Sequence, residues 1–280
     1  MLRFLLGGVV AFGLGAGALP PWLVLPPTPA LPRAAVAGHV TVNGARLWYA
    51  ELGREHAQTV VLLHGGLANS NYWGLLAPDL ARDYHVVLID SRGHGRSGRS
   101  DAPYGYELMA SDVLGVLDSL GVKQAAVVGW SDGAIIGLEI ALHHPERLTR
   151  LFAFAANSDP SGNKPDIDKS PVFTAYIARA GKEYAALNPK PEEYAAFVAA
   201  IEKMWASQPY LTAKDLGGIH VPVWIVDGDH DEAIKRENTD FMAGAIPGAS
   251  EMILPGVSHF AGLQDPVTYG FAVRRFLAEK

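Results

Sequence analysis

One run in the chain joins a nucleophile to the backbone geometry that would expose it: Gly129-Trp130-Ser131-Asp132-Gly133. It stands between the largely apolar stretch Gln124 to Val128 and the helical stretch Ala134 to His143. Strand, sharp turn and helix therefore follow one another within one window. A serine on such an elbow points out of the sheet, and the glycines two places before and after it let neighbouring backbone pass without a Cβ in the way. The next helix starts beneath the hydroxyl. Its free N–H groups and positive dipole end favour the negative charge that develops on a carbonyl oxygen under attack. The chemistry this suggests is acyl transfer with Ser131 as nucleophile.

A serine hydroxyl is a poor nucleophile at neutral pH until an imidazole takes its proton, and the imidazole needs a carboxylate to fix its tautomer and stabilise its charged form. His259, in Pro255-Gly256-Val257-Ser258-His259-Phe260, lies in a loop after the last strand-like stretch. Asp231, in Asp227-Gly228-Asp229-His230-Asp231, follows the preceding one, so both return to the sheet edge that carries Ser131. The chain order Ser, Asp, His is that of elbow-type nucleophiles. Asp229 competes with Asp231 for the acid, and Asp159, after the strand before, is a more distant rival. The oxyanion hole is expected from the backbone N–H of Asp132 and one from His64-Gly65-Gly66-Leu67, with Gly66 first and Leu67 in reserve. His64 and His94 occupy tight glycine turns and read as orienting backbone, while His143 and His144 close a helix as favourable C-terminal charges. No metal-ligand spacing emerges from these histidines, and the chemistry needs no cofactor.

The elements that must position these residues alternate from His39 onward. Val40 and Val42, then Leu47, Tyr49 and Leu52 around Asn43-Gly44, read as an opening hairpin. Buried parallel strands are expected at Thr59 to Leu63, Val86 to Ile89, Gln124 to Val128 and Leu148 to Ala155. Helices are expected at Tyr72 to Ala81, Glu107 to Leu120 and Ala134 to His143. From 157 to 217 the rhythm breaks. Val172, Phe173, Tyr176, Ile177, Ala180 and Tyr184 follow one helical period, and Tyr194, Phe197, Val198, Ile201 and Trp205 another. This predicts a helical lid over the crevice where open α/β sheets bind ligands. Trp130, Tyr176 and Trp205 are candidates to line a substrate pocket there, although aromatics at helical spacing also simply pack lid on core. A strand at Val223 to Asp227, a helix at about Glu237 to Ala245, a strand at Glu251 to Leu254 and a helix from about Pro266 to Leu277 complete the chain. The fold class is α/β: a mostly parallel, doubly wound core over 38–156 and 218–280 with the lid inserted at 157–217.

Composition removes several function classes. A net charge of −6 over 280 residues, with no basic cluster interleaved with aromatics, argues against a nucleic-acid surface. The chain has no cysteine, which excludes disulfides, thiolate metal sites and a cysteine nucleophile. Arg3 precedes an uncharged stretch from Phe4 to Leu19, a proline-rich segment follows, and Ala35-Val36-Ala37 matches an A-x-A cleavage pattern. Residues 1–37 therefore read as an export signal, giving a periplasmic or secreted protein whose mature chain starts near Gly38. The alternative is an uncleaved anchor holding the catalytic domain outside the cytoplasm, the one expected contact with a membrane.

His64-Gly65-Gly66, Asp90-Ser91-Arg92-Gly93-His94-Gly95-Arg96-Ser97, the Ser131 elbow, Gly228-Asp229-His230-Asp231 and Gly256-Val257-Ser258-His259 together resemble the α/β-hydrolase superfamily from about residue 39 to the end. The resemblance implies the α/β-hydrolase fold and places the acid on Asp231. Within the superfamily the elbow and Ala156-Asn157 look like the biphenyl hydrolase-like (valacyclovir hydrolase) family. In that family the aspartate beside the nucleophile contacts the α-amino group of amino-acid esters, which would give Asp132 a substrate role. Asp132 also fits a plain helix-start position, where the dipole and free N–H groups stabilise a carboxylate. The expected activity is a carboxylesterase-like serine hydrolase of small-molecule esters, working through an acyl-enzyme on Ser131, His259 and Asp231. The same fold also hosts C–C hydrolases, lyases and perhydrolases, and a non-catalytic small-molecule receptor is the reading from another class.

Overall fold

A computed structural model describes residues 19–33 and 35–279. Eight strands form one sheet: β1 (Val36–Val42), β2 (Ala45–Leu52), β3 (Thr59–Leu63), β4 (His85–Asp90), β5 (Ala125–Trp130), β6 (Leu148–Phe154), β7 (Val223–Gly228) and β8 (Ser250–Leu254). Their order is β1-β2-β4-β3-β5-β6-β7-β8. The β1–β2 hairpin is antiparallel and pairs antiparallel with β4, and every later pairing is parallel. The helices are α1 (Ala77–Leu80), α2 (Tyr106–Ser119), α3 (Asp132–His143), α4 (Pro171–Leu187), α5 (Tyr194–Trp205), α6 (Ala213–Leu216), α7 (Arg236–Ala245), α8 (Ala261–Gln264) and α9 (Pro266–Leu277). This is the α/β-hydrolase fold, with α4, α5 and the short α6 inserted between β6 and β7, where the sequence predicts a lid.

The near-continuous apolar strands follow from burial on both faces. Val61 and Leu63 of β3 enter one apolar cluster with Met109, Val113, Ile135 and Leu138 of α2 and α3. Val60 and Leu62 enter the other, with Trp73, Tyr269, Val273 and Phe276. Every residue of β5 is buried, so the strand that delivers Ser131 is fixed from both sides. The loops after β3, β5, β7 and β8 all leave the C-terminal edge of this sheet, where the ligand crevice of such folds lies.

The helix expected at Tyr72 to Ala81 is broken into a 3₁₀ turn, Ser70–Trp73, and the single turn of α1. The Asn69 side chain accepts from Asn71 N–H and starts the first piece. Pro78 has no N–H to return to the Gly74 carbonyl, so one continuous helix cannot form. The other strands and helices agree with the sequence expectations to within a few residues at their ends.

The start of the chain is described only in part. Of the export signal or anchor expected over 1–37, residues 1–18 lie outside the described residues. Val36 and Ala37 are the first residues of β1 and pair with Glu51 and Ala50. Before them a 3₁₀ turn at Pro21–Leu23 leads into extended chain, and Leu25, Leu31 and Ala35 pack on the second apolar cluster. Among the described residues no helix is long and apolar enough to cross a membrane.

Candidate active site

The elbow is strained at its centre. Ser131 has φ 53° and ψ −119°, a region that side chains with a Cβ rarely occupy. The surroundings hold it there. Its N–H donates to the Phe154 carbonyl at 2.8 Å, and its own carbonyl accepts from Ala134 and Ile135 N–H at 2.8 and 3.0 Å. Gly133 lies so close to the end of β3 that a Cβ would collide with the Leu63 carbonyl oxygen. Only glycine lets α3 start directly over that strand.

The loop after β3 is fixed by its histidine. The His64 ring bonds Gly65 O through Nδ1 at 2.8 Å, and its Nε2 accepts from Ser91 N–H at 3.0 Å. The acceptor role of Nε2 sets the tautomer with the proton on Nδ1, and burial holds the imidazole below its ordinary pKa. His94 bonds Arg92 O through Nδ1 at 2.9 Å and is pushed down to about 3 by burial and the nearby His64. Both histidines orient loops, as their glycine turns suggested. Leu67 sits at φ 61°, a second strained residue in this corner. Among the described residues the N–H groups of Gly66 and Leu67 donate to nothing, and the N–H of Asp132, first in α3, has no intrahelical partner. They lie on the two segments that meet at Ser131, where a Cβ on Gly65 would stand 3.2 Å from the Ser131 Cβ.

Of the three candidate acids, Asp231 alone reaches His259. Its Oδ2 accepts from His259 Nδ1 at 2.8 Å, and its Oδ1 takes the N–H groups of Ala233 and Ile234 at 2.6 and 2.8 Å. Asp229 accepts from Val257 N–H, tying its loop to the one that carries His259, and Asp159 accepts from Ser161 N–H within its own turn. The rings of His259 and Trp130 lie 5.9 Å apart, which puts the imidazole against the residue preceding Ser131. Among the described residues the Ser131 hydroxyl makes no hydrogen bond to the ring; such contacts are often long without substrate and tighten in its complex. Burial lowers the affinity of His259 for a second proton, while Glu232, Asp227 and Asp132 act the other way. Burial pushes Asp231 up to about 7, opposed by its hydrogen bonds. Glu232, not foreseen from the sequence, accepts the His259 backbone N–H at 3.1 Å. Asp227 is buried beside Asp231, and burial together with that charge holds its carboxyl well above the usual range.

The structure gives Asp132 partners with no local signal in the sequence. It is buried, accepts from the Tyr106 hydroxyl at 2.8 Å and from the lid's Trp205 Nε1 at 3.0 Å, and is pushed up to about 6 by burial. The Tyr176 hydroxyl, on α4, donates to the Gly66 carbonyl. A Cβ at position 66 would strike the Trp205 ring and approach an Asp132 carboxylate oxygen to 2.6 Å. Tyr176 and Trp205 are thus hydrogen-bonded to the oxyanion loop and the elbow. Trp130 lines an apolar cavity of about 20 Å³ with Tyr72, His259 and Phe260, space for roughly one water.

Residues 58–200, just over half of the chain, match the family model described as alpha/beta hydrolase fold. A putative carbamate hydrolase, RutD, of Pseudomonas syringae pv. syringae is 28% identical over 244 residues, covering 79% of this chain and 94% of the relative. Among solved structures, Est816, described as an N-acyl homoserine lactone degrading enzyme, superposes with TM-score 0.69 at 27% identity, over 85% of this chain and all of the other. A serine hydrolase involved in carbazole degradation, CarC, gives TM-score 0.75 at 22% identity over 88% of this chain and 99% of the other, a likeness of fold.

The shared carboxylate makes a direct prediction. Tyr106→Phe removes a donor from the buried Asp132 and should lower stability by about 1–3 kcal/mol in urea unfolding, the usual cost of an unsatisfied buried group. No change would mean that Trp205 alone satisfies the carboxylate.

Proposed function

The chain belongs to the α/β-hydrolase fold family, and on that footing we propose that it is a serine hydrolase of small carboxylic esters. The observation that carries this reading is the 2.8 Å bond between the buried Asp231 and His259, at the sheet edge where Ser131 is held in its strained conformation. In the proposed cycle the Ser131 hydroxyl oxygen attacks the ester carbonyl carbon while His259 Nε2 takes its proton. Asp231 accepts from Nδ1–H and stabilises the imidazolium. The carbonyl oxygen becomes an alkoxide facing the N–H groups of Gly66 and Asp132. The intermediate collapses, His259 protonates the departing alcohol, and the acyl group stays on Ser131. Water, deprotonated by His259, then releases the carboxylic acid. The relatives support the acyl class, since opening a carbamate or a lactone is likewise attack on an acyl carbon.

The amino-ester reading of Asp132 has less support than a holding role. Its carboxylate already accepts from a phenol and an indole, one of them carried by the lid. Asp132→Asn is therefore expected to change the ratio of kcat/KM for an aminoacyl ester over its des-amino analogue by less than about twofold. A tenfold loss of amino preference would return Asp132 to substrate recognition.

Two measurements test the main reading. A fluorophosphonate should label the wild-type chain and leave Ser131→Ala unlabelled, and Ser131→Ala or His259→Ala should lower kcat for a p-nitrophenyl ester by roughly 10⁴-fold or more without unfolding. Equal labelling of wild type and Ser131→Ala would sink the proposal. The pH profile follows from the burial of His259: the base works when neutral, and its pKa lies below the ordinary 6.5. The acid limb of kcat/KM on an uncharged ester should therefore fall below pH 6.5, with activity lost as pH drops through it. An inflection above pH 7 would contradict the assignment.

A further inference from the structure

The proline-rich segment before β1 does more than connect. Trp22 stacks on His230, immediately before the acid Asp231, with ring centroids 3.9 Å apart and planes 7° from parallel. Four residues further on, the segment meets the lid. Arg179 of α4 donates to Pro26 O at 2.5 Å and to Leu25 O at 3.0 Å. One turn later on the same helix, Glu183 accepts from the Thr28 hydroxyl at 2.5 Å and from Asn69 Nδ2 at 2.8 Å. Asn69 follows the oxyanion loop directly, so Thr28, Glu183 and Asn69 form one hydrogen-bonded chain from segment to lid to core. Gln264 of α8 donates to Val24 O at 3.0 Å, and Ala30 O lies against Gly74 so closely that a Cβ there would stand 2.6 Å away. The segment thus touches the acid loop, the lid helix, the flank of the oxyanion loop and α8 within 14 residues, from Pro20 to Arg33.

We propose that residues 20–33 are a strap retained in the working enzyme, positioning α4 against the acid loop and the oxyanion flank, and that the apolar stretch before it is an export signal cut at the Ala18–Leu19 bond. A cut after Ala37 would remove the whole strap together with Val36 and Ala37, whose pairing opens β1. The small-residue pattern occurs a second time, as Ala16-Gly17-Ala18, directly after the apolar run and upstream of Trp22, which stacks on His230. Cleavage there spares every contact described above. Arg179 is then a positioning residue. Its guanidinium ties two strap carbonyls to the helix that carries Tyr176, and Tyr176 in turn holds the Gly66 carbonyl.

The full chain, produced with its own first residues in an exporting bacterial host, tests the cut by mass spectrometry of the mature terminus. A chain beginning at Leu19 is expected. An uncut chain overturns the assigned bond, and a chain beginning at Gly38 overturns the strap as well. In the protein from Leu19 onward, Arg179→Ala should speed amide hydrogen exchange across 171–187 at least tenfold, and Arg179→Lys should restore part of the protection. KM for a p-nitrophenyl ester should shift at least threefold in Arg179→Ala with kcat within twofold. Unchanged exchange in Arg179→Ala overturns the positioning role. Exchange needs no turnover, so its failure is distinct from failure of the ester-hydrolase reading on which the KM arm rests.

Discussion

The start of α3 over the end of β3 is the constraint from which the site follows. Gly133 lies against the Leu63 carbonyl with no room for a side chain, and this contact forces the chain to turn sharply at Ser131. The φ of 53° at the serine is a local cost of about 1–3 kcal/mol that only an over-determined surrounding can sustain. Three backbone hydrogen bonds from Ser131 to β6 and α3, and a strand buried along its whole length, supply that surrounding. The same crossing brings the loop after β3 beside the elbow. One steric contact therefore fixes the turn at Ser131 and brings the loop after β3 against the elbow, where a Cβ on Gly65 would stand 3.2 Å from the Ser131 Cβ.

Around this frame the site gathers more acid than one imidazole needs. Asp231, Asp227, Glu232 and Asp132 all act on His259 or on its partner, and burial pushes Asp227, Asp231 and Asp132 upward. Each is held by donors: Asp231 by two backbone N–H groups and the imidazole, Asp227 by Thr239 and Gly228, Asp132 by a phenol and an indole. Desolvation still prevails at the ring. A buried imidazole that stays neutral near pH 7 is suited to take a proton, and its carboxylate neighbours stabilise the cation once it forms. The same carboxylates oppose an oxyanion, so backbone donors directed at the alkoxide matter more here than in a neutral pocket.

Much of this was legible along the chain because it is local. The elbow, the glycine loops and the order Ser131, Asp231, His259 are short runs at strand ends, and a parallel sheet sends all its strand ends to one edge. Even the choice of Asp231 over Asp229 and Asp159 rested on a loop position that the fold preserves. The partners of Asp132 were not legible. Tyr106 and Trp205 stand 26 and 73 residues away, on a core helix and a lid helix whose periodicity speaks only of packing. Asp227 at the end of its strand and Glu232 in the loop after it look like ordinary acids until the chain after β8 brings His259 beside them. The contacts of the segment at 20–33 were not legible either: they are carbonyls meeting Arg179 and Gln264, which no side-chain pattern announces.

The lid is therefore part of the site's chemistry through its hydrogen bonds. Tyr176 holds the carbonyl of Gly66, the residue whose N–H faces the proposed oxyanion, and Trp205 holds the carboxylate of Asp132, whose N–H is the other donor. Peptide planarity ties the Gly66 carbonyl to the Leu67 N–H, so the Tyr176 bond orients that donor directly.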